Sequence, residues 1–105
     1  MINSKQIDRI VSLIVNYYAP DQVLLFGSQA KGNAGSQSDI DLIVIKDTPI
    51  PKGQRGHDLS DGFANFPFKI DLVFLTKGEL KAQLKADSSF VSSIWHNAKI
   101  IFEKP

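Results

Sequence analysis

The 105-residue sequence contains no cysteine and only two histidines. Disulfide bonds, a thiol nucleophile and cysteine-ligated zinc are therefore excluded, and a histidine-based metal cluster is disfavoured. Neither sign of charge is in excess, since 12 basic and 11 acidic residues give a formal net charge of +1. Such a chain has no overall positive field to recruit nucleic acid or an anionic membrane, so a nucleic-acid substrate is not indicated.

Long hydrophobic runs are also missing. No stretch approaches the ~20 apolar residues of a membrane span. The apolar segment 10–19 is interrupted by Asn16 and a tyrosine pair, and no small-residue cleavage site follows it, which argues against a signal peptide. We therefore expect a cytoplasmic protein. Since 43% of the residues are hydrophobic and 22% are charged, residues 1–105 are expected to form a single globular domain with its binding site in a surface cleft.

The spacing of apolar residues predicts one long helix and four strands. Apolar side chains at helical spacing form one stripe of an amphipathic helix: Ile7, Ile10, Val11, Ile14, Tyr17 and Tyr18. Asn3 or Ser4 is a candidate cap, and Pro20 ends the helix. Alternating or continuous apolar runs predict strands over residues 23–26, 40–45, 68–75 and 100–102.

Further helices are predicted between and after these strands. They cover residues 55–66, where glycines interrupt the pattern, and residues 79–86, with Thr76 as the candidate cap; another begins at Ser88 or Ser89. Phe63, Phe66, Phe68 and Phe74 are expected in the core rather than in a base-stacking platform. Helices alternating with three or four strands indicate an α/β or α+β domain around one sheet.

Three aspartates lie in or beside two of the predicted strands. Asp39 and Asp41 are two residues apart, so on a strand their side chains project to one face, with Cα atoms ~6.6 Å apart. Asp71 lies on the face of the third strand opposite Ile70 and Leu72, which it shares with Lys69 and Val73. Aspartate is depleted in strands and costly to bury unpaired, so its presence within a strong strand pattern requires an explanation.

A shared metal site is the functional interpretation of these aspartates. If the two strands are neighbours, carboxylates ~4 Å apart repel by ~4 kcal/mol at an effective dielectric constant of 20. Either protonation or a bound cation must offset this repulsion. Oxygen ligands without nearby histidine or cysteine favour Mg²⁺ or Mn²⁺ over zinc. Three aspartates also suit two-metal phosphoryl transfer, in which the ions lie ~3.5–4 Å apart.

A structural interpretation of the aspartates stays open. In that case Asp39 is a turn residue, Asp41 faces solvent at the end of a strand, and Asp71 pairs with Lys69 or another base. A D-x-D pattern alone does not decide between this alternative and a metal site.

A glycine-punctuated loop precedes the aspartates. Gly27 directly follows an apolar strand, and Ser28 adds a hydroxyl and a backbone N–H where a helix start would offer donors to a phosphate. A tight turn that needs glycine is the alternative. The phosphate loop G-x-x-x-x-G-K-[ST] is rejected, because Asn33 and Ala34 stand where its lysine and hydroxyl residue are required.

Taken together, these elements resemble the nucleotidyltransferase superfamily of the DNA polymerase β type, and specifically its minimal nucleotidyltransferase (MNT) members. The C-terminal segment FVSSIWHNAKIIFE also looks like the closing helix and strand of that family, so the resemblance covers nearly the whole chain. The matching residues are Gly27-Ser28, Gly32, Ser38-Asp39-Ile40-Asp41-Leu42 and Ile70-Asp71-Leu72-Val73.

The resemblance implies a small mixed sheet of three or four strands flanked by helices. It also implies transfer of a nucleoside monophosphate from ATP or another nucleoside triphosphate to a hydroxyl acceptor, with Mg²⁺ or Mn²⁺ as cofactor. Asp39 and Asp41 would ligate both metal ions, and Asp71 would complete the acceptor-side ion and help to deprotonate the attacking hydroxyl. The nucleotide would be held by Gly27, Ser28, Lys31 and Ser38.

One departure from the family pattern concerns the phosphates. Members commonly carry arginine where this chain has Gln29, and the loss of a fixed cation there would weaken nucleotide binding or turnover. Lys31 could substitute for that arginine, although its ammonium is a compact point charge rather than a planar fork.

The resemblance also implies a partner. Stand-alone MNT proteins are typically antitoxins that pair with HEPN-domain proteins, sometimes adding AMP to a tyrosine of that partner, so a homo- or hetero-oligomer is expected. The alternative is a binding module with a vestigial site that neutralises its partner by complex formation alone, which Gln29 favours. Transfer to a small molecule is a third hypothesis, but such relatives carry an additional domain.

Overall fold

A computed structural model of the chain describes residues 4–26, 40–56, 59–63, 66, 69–86, 95 and 98–105. In chain order the described elements are helix α1 (Ser4–Tyr18), strands β1 (Gln22–Phe26) and β2 (Ile40–Ile45), a 3₁₀ turn (Lys52–Gln54), helix α2 (Leu59–Phe63), strand β3 (Ile70–Leu75), helix α3 (Lys77–Lys85) and strand β4 (Lys99–Glu103). The helix predicted from Ser88 or Ser89 lies outside the described residues, as does Phe68.

The four strands form one mixed sheet in the order β3-β2-β1-β4. Strand β1 is antiparallel to both of its neighbours, whereas β2 and β3 are parallel. The predicted fold class, a small mixed sheet flanked by helices, is therefore confirmed. In the described part of the chain no helix is long and apolar enough to cross a membrane.

Helix α1 covers one face of the sheet. Its Ile10 and Ile14 are buried, and they pack in one core with alternate residues of β1 and β2. At the last turn Tyr18 faces the sheet and meets the ring of Phe74 edge-on at 5.1 Å between centroids. Tyr17, which the helical spacing placed on the buried stripe, is instead 64% exposed. Successive residues of a helix point about 100° apart, so only one of the two tyrosines can face the sheet.

The opposite face of the sheet carries a second core. Leu24, Phe26, Ile43, Ile45 and Leu75 form it, and α3 and the single tryptophan, Trp95, pack against it. Because β2 is covered on both faces, its sequence is a nearly continuous apolar run, and Asp41 is the one residue of that strand that is not buried.

The helix predicted over residues 55–66 is shorter than expected. Arg55 is extended, with φ −86° and ψ 141°, and Gly56 has φ +75°. A Cβ atom on Gly56 would lie 2.2 Å from the ring of Phe74, so the chain turns closely over this ring before α2 begins at Leu59. Phe63, Phe66 and Phe74 pack against the core on the α1 side, as predicted.

Helix α3 begins with a capping box at the predicted cap. The Thr76 hydroxyl accepts a hydrogen bond from the backbone N–H of Glu79 at 3.1 Å, and the Glu79 carboxylate accepts one from the N–H of Thr76 at 2.8 Å. The reciprocal pair satisfies two donors at the helix start, so the helix begins at Lys77 rather than at Glu79.

Glu79 also binds a buried arginine. Its two oxygens accept hydrogen bonds from Arg55 Nη1 at 2.7 Å and Nη2 at 3.2 Å. Further bonds run from the guanidinium to the carbonyls of Ile50 at 2.8 Å and Phe74 at 3.2 Å. The hydrogen bond from Arg55, more than any other contact, lowers the pKa of Glu79 to about 2. This network joins the 3₁₀ turn, β3 and α3 at the end of β3 that is remote from Asp71.

Candidate functional site

Asp41 and Asp71 lie side by side on neighbouring strands. They are direct partners in the parallel register of β2 and β3. Neighbouring strands are about 4.8 Å apart, and partnered residues point to the same face. On each strand the flanking residues pack on the α1 side, so both aspartates lie on the α3 face of the sheet. The Asp71 side chain is 44% exposed, which leaves its carboxylate accessible to a ligand.

A third strand ends beside this pair. Phe26, the last residue of β1, is the register partner of Asp41, so Phe26, Asp41 and Asp71 form a row across three strands. Since β1 is antiparallel to β2, the row marks the end of β1 and the beginnings of β2 and β3. At this end of the sheet the N–H of Ile40 donates a hydrogen bond of 2.9 Å to the carbonyl of Lys69, which joins the beginnings of β2 and β3.

The glycine loop follows this edge directly in the sequence. Gly27 is the next residue after Phe26, and Asp39 immediately precedes Ile40. Several predicted site residues lie outside the described residues, and their roles stay predictions: Gly27, Ser28, Gln29, Lys31, Ser38 and Asp39. The structure thus brings together two of the three predicted metal ligands, Asp41 and Asp71.

Asp71 forms an ion pair with Lys69, the residue immediately before β3. Lys69 Nζ lies 3.6 Å from Asp71 Oδ1, and the two side chains are 69% and 44% exposed. This is the pairing that the structural interpretation of the aspartates anticipated. Exposed pairs contribute only about 0.2–1 kcal/mol, because water and salt screen them and two side chains must be ordered. The ion pair is therefore too weak to keep Asp71 from another cation.

The two carboxylates suit a hard cation. At about 5 Å, two like charges repel by about 1 kcal/mol in water and about 3 kcal/mol at an effective dielectric constant of 20, which opposes their juxtaposition unless a cation offsets it. Carboxylate oxygens are the ligands that Mg²⁺ and Mn²⁺ prefer. The described residues alone contain no group of three acidic, histidine or cysteine side chains that could hold a metal ion. Asp39, the predicted third ligand, lies beyond those residues.

Sequence reasoning did not single out Phe26. Its signal is positional, because it is the last apolar residue before Gly27. In the structure it is buried and is the register partner of Asp41. Phe26 therefore places an apolar side chain on the β1 side of the carboxylate pair, on the same face of the sheet. The Arg55–Glu79 network was also missed, and it lies at the other end of β3, where it contributes to stability rather than to this site.

Comparison with known proteins gives one family match over almost the whole chain. The family model described as "Polymerase beta, Nucleotidyltransferase" matches residues 8–105. A Haemophilus influenzae protein named as a probable protein adenylyltransferase, MntA, is 36% identical over 67 residues, which cover 61% of this chain. The match spans only 58% of the length of that relative.

Two solved structures share the fold. A toxin–antitoxin crystal structure with AMP-PNP superposes with a TM-score of 0.62 at 19% identity, over 92% of this chain and 73% of that one. A crystal structure of a mutant form of the toxin–antitoxin pair MntA–HpeT gives a TM-score of 0.63 at 19% identity, over 99% of this chain and 75% of that one. At these identities the likeness establishes the fold.

Proposed function

The chain belongs to the polymerase beta nucleotidyltransferase family, and we propose that it transfers a nucleoside monophosphate, expected to be AMP, from a nucleoside triphosphate to a hydroxyl group. In this reaction the acceptor oxygen forms a bond to the α-phosphorus, and the bond from that phosphorus to the bridging oxygen of the β-phosphate breaks. Pyrophosphate leaves, and the hydroxyl gives up its proton to the carboxylate of Asp71. The observation that carries the proposal is the register pairing of Asp41 with Asp71 on one face of the sheet.

The proposed cofactor is Mg²⁺ or Mn²⁺, held by Asp41 and Asp71 together with Asp39. When bound, such an ion supplies positive charge that stabilises the oxygens of the reacting phosphates. The triphosphate is proposed to lie against Gly27 and Ser28, since that segment follows β1 in the sequence at the edge where the aspartates begin their strands.

Asp71 is proposed to accept the proton of the acceptor hydroxyl. Asp71 is half-exposed, so a hydroxyl group of a macromolecule can approach its carboxylate and donate a hydrogen bond to it. Asp41 lies between Phe26 and Asp71, and its central position in this row suits a ligand shared between ions rather than a proton acceptor. Lys31 and Ser38 are proposed to contact the phosphates, with Lys31 supplying the charge that Gln29 lacks.

The acceptor is proposed to be a side-chain hydroxyl of a protein partner in a toxin–antitoxin pair, with this chain as the antitoxin. The name of the Haemophilus influenzae relative supports a protein acceptor, and the toxin–antitoxin structures of similar fold support a partner protein. A HEPN-domain protein is the partner that we propose, and complex formation alone is the alternative route to neutralisation.

The test is transfer of label from ATP to the partner. The chain is incubated with the co-expressed partner, Mg²⁺ and ATP labelled on the α-phosphate. We expect label on the partner, and its loss in Asp41→Asn, because the amide neither repels Asp71 nor binds a cation strongly. Asp8→Asn is the matched control, since it makes the same chemical change at an exposed position of α1.

Two other outcomes separate the alternatives. An unlabelled partner that is nevertheless inactivated by both the wild type and Asp41→Asn would support neutralisation by complex formation and refute the transfer reaction. Label that persists in Asp41→Asn would refute the assignment of this aspartate to the site while leaving the reaction in place.

A further inference from the structure

We propose that Lys69 is a built-in counter-ion of Asp71, which pairs with this carboxylate when no metal is bound and weakens the binding of a divalent cation to the Asp41–Asp71 pair. The inference rests on the proposed function, since it concerns the same metal site. Lys69 is a positioning residue in this proposal, and it acts through Asp71. The contact that carries it is the 3.6 Å approach of Lys69 Nζ to Asp71 Oδ1.

The backbone of Lys69 is fixed at the edge of the site. Its carbonyl accepts the hydrogen bond from Ile40, the first residue of β2, at 2.9 Å. Two residues later Asp71 pairs in register with Asp41. The backbone of Lys69 therefore lies next to the carboxylate pair, and this backbone position does not depend on the ion pair between the Lys69 and Asp71 side chains.

The side chain of Lys69 is nonetheless able to leave. It is 69% exposed, so its ammonium stays largely hydrated both in the ion pair and away from it. An exposed pair of this kind is worth little, whereas a divalent cation between two carboxylates interacts with both of them. Binding of the cation is therefore expected to displace the ammonium, and the displacement reduces the net affinity.

Removal of the positive charge of Lys69 is expected to change the affinity for Mn²⁺. An exposed ion pair is a weak interaction, so Lys69→Met is expected to tighten Mn²⁺ binding by only about 1.5-fold to fivefold. Lys69→Arg keeps the positive charge and is expected to bind Mn²⁺ as the wild type does. The difference between wild type and Lys69→Met is expected to shrink at high salt, because ions screen exposed charges.

The experiment is titration of the full chain with Mn²⁺ by isothermal calorimetry. The series contains wild type, Lys69→Met, Lys69→Arg, Asp71→Asn and the control Lys52→Met. Lys52→Met makes the same change in net charge at an exposed position of the 3₁₀ turn, near the far end of β3. Circular dichroism of every variant establishes that it is folded before its affinity is compared.

The possible results separate the inference from the proposed function. If wild type binds Mn²⁺, Asp71→Asn does not, and Lys69→Met binds no more tightly than wild type or Lys52→Met, the metal site stands and the counter-ion role of Lys69 is wrong. Weaker binding by Lys69→Met would also overturn it, because the lysine would then assist the site. If wild type itself binds no Mn²⁺, the proposed metal site fails and the inference with it.

Discussion

Replacement of Glu79 by glutamine is expected to destabilise the fold by about 2 kcal/mol, because it leaves the buried Arg55 without its counter-ion. The Arg55 side chain is 5% exposed and that of Glu79 is 36% exposed. Breaking a fully buried pair costs about 3–5 kcal/mol and breaking an exposed pair about 0.2–1 kcal/mol, so this half-buried pair falls between the two ranges. Glutamine keeps the shape of the side chain and an oxygen that can accept the hydrogen bond from Thr76.

The assay is equilibrium unfolding in urea, followed by circular dichroism and by the fluorescence of Trp95. Glu103→Gln is the matched control, since it makes the same substitution on the exposed side of β4 and is expected to change stability by less than about 0.5 kcal/mol. For a domain of this size a loss of about 2 kcal/mol lowers the melting temperature by about 8–16 °C.

The dependence on pH identifies the carboxylate as the source of the effect. The pKa of Glu79 is lowered from 4.5 to about 2 in the folded chain, so its stabilising contribution is complete above pH 4.5 and is lost as the pH falls towards 2. The stability difference between wild type and Glu79→Gln should narrow over that interval. A variant as stable as Glu103→Gln at neutral pH, or a difference independent of pH, would refute the assignment.

Two further substitutions test the turn before α2 and the carboxylate pair. Gly56→Ala is expected to lower the free energy of unfolding in urea by about 2 kcal/mol or more, since Gly56 has φ +75° and a Cβ there would lie 2.2 Å from the ring of Phe74. Gly53→Ala is the control and should be tolerated, because a Cβ on Gly53 would have no atom within 4 Å. Equal stability of the two variants would contradict this account of the turn. Asp71→Asn is expected to keep or slightly raise the melting temperature without metal, because it removes a repulsion of about 1 kcal/mol and loses an exposed ion pair with Lys69 that is worth about 0.2–1 kcal/mol. Thermal unfolding with Mn²⁺ should then stabilise wild type but not Asp71→Asn, and equal stabilisation of both would place the metal elsewhere.

The local elements were predictable from the sequence because their patterns are local. The apolar run Ile40–Ile45 is a strand with the predicted bounds, and Thr76 caps α3 as predicted. The helix predicted over residues 55–66 is present but begins only at Leu59, for a reason that periodicity cannot reveal. Gly56 adopts a left-handed conformation against Phe74, a residue 18 positions later, so the turn depends on tertiary contact.

The site depends on strand order, which periodicity does not determine. That Asp71 lies on the face opposite Ile70 and Leu72 was evident from alternation, but its pairing with Asp41 requires that β3 lie beside β2 in parallel, as the structure has it. The Arg55–Glu79 pair was not predictable for a similar reason, because its members are 24 residues apart and the capping box that contains Glu79 gives no indication that Arg55 is its partner. The resemblance to a family supplied the roles of individual residues, and those roles stay predictions.

The two ends of the β2–β3 strand pair differ in role, since one end stabilises the fold and the other holds the candidate site. At the end near Phe74 and Glu79, a buried arginine, a capping box and backbone carbonyls satisfy one another, whereas at the other end two partly exposed carboxylates repel. The backbone of Asp41 is held in place there because its neighbours Ile40, Leu42 and Ile43 are buried, so packing of β2 helps to fix the position of the carboxylate pair. Substitutions at the two ends should therefore affect different properties. Glu79→Gln should lower the melting temperature and leave the Mn²⁺ affinity of the folded chain unchanged. Asp71→Asn should abolish Mn²⁺ binding without loss of stability. If both substitutions altered both properties, the site and the stabilising network would be coupled through the sheet, and the division of the strand pair into two independent ends would be wrong.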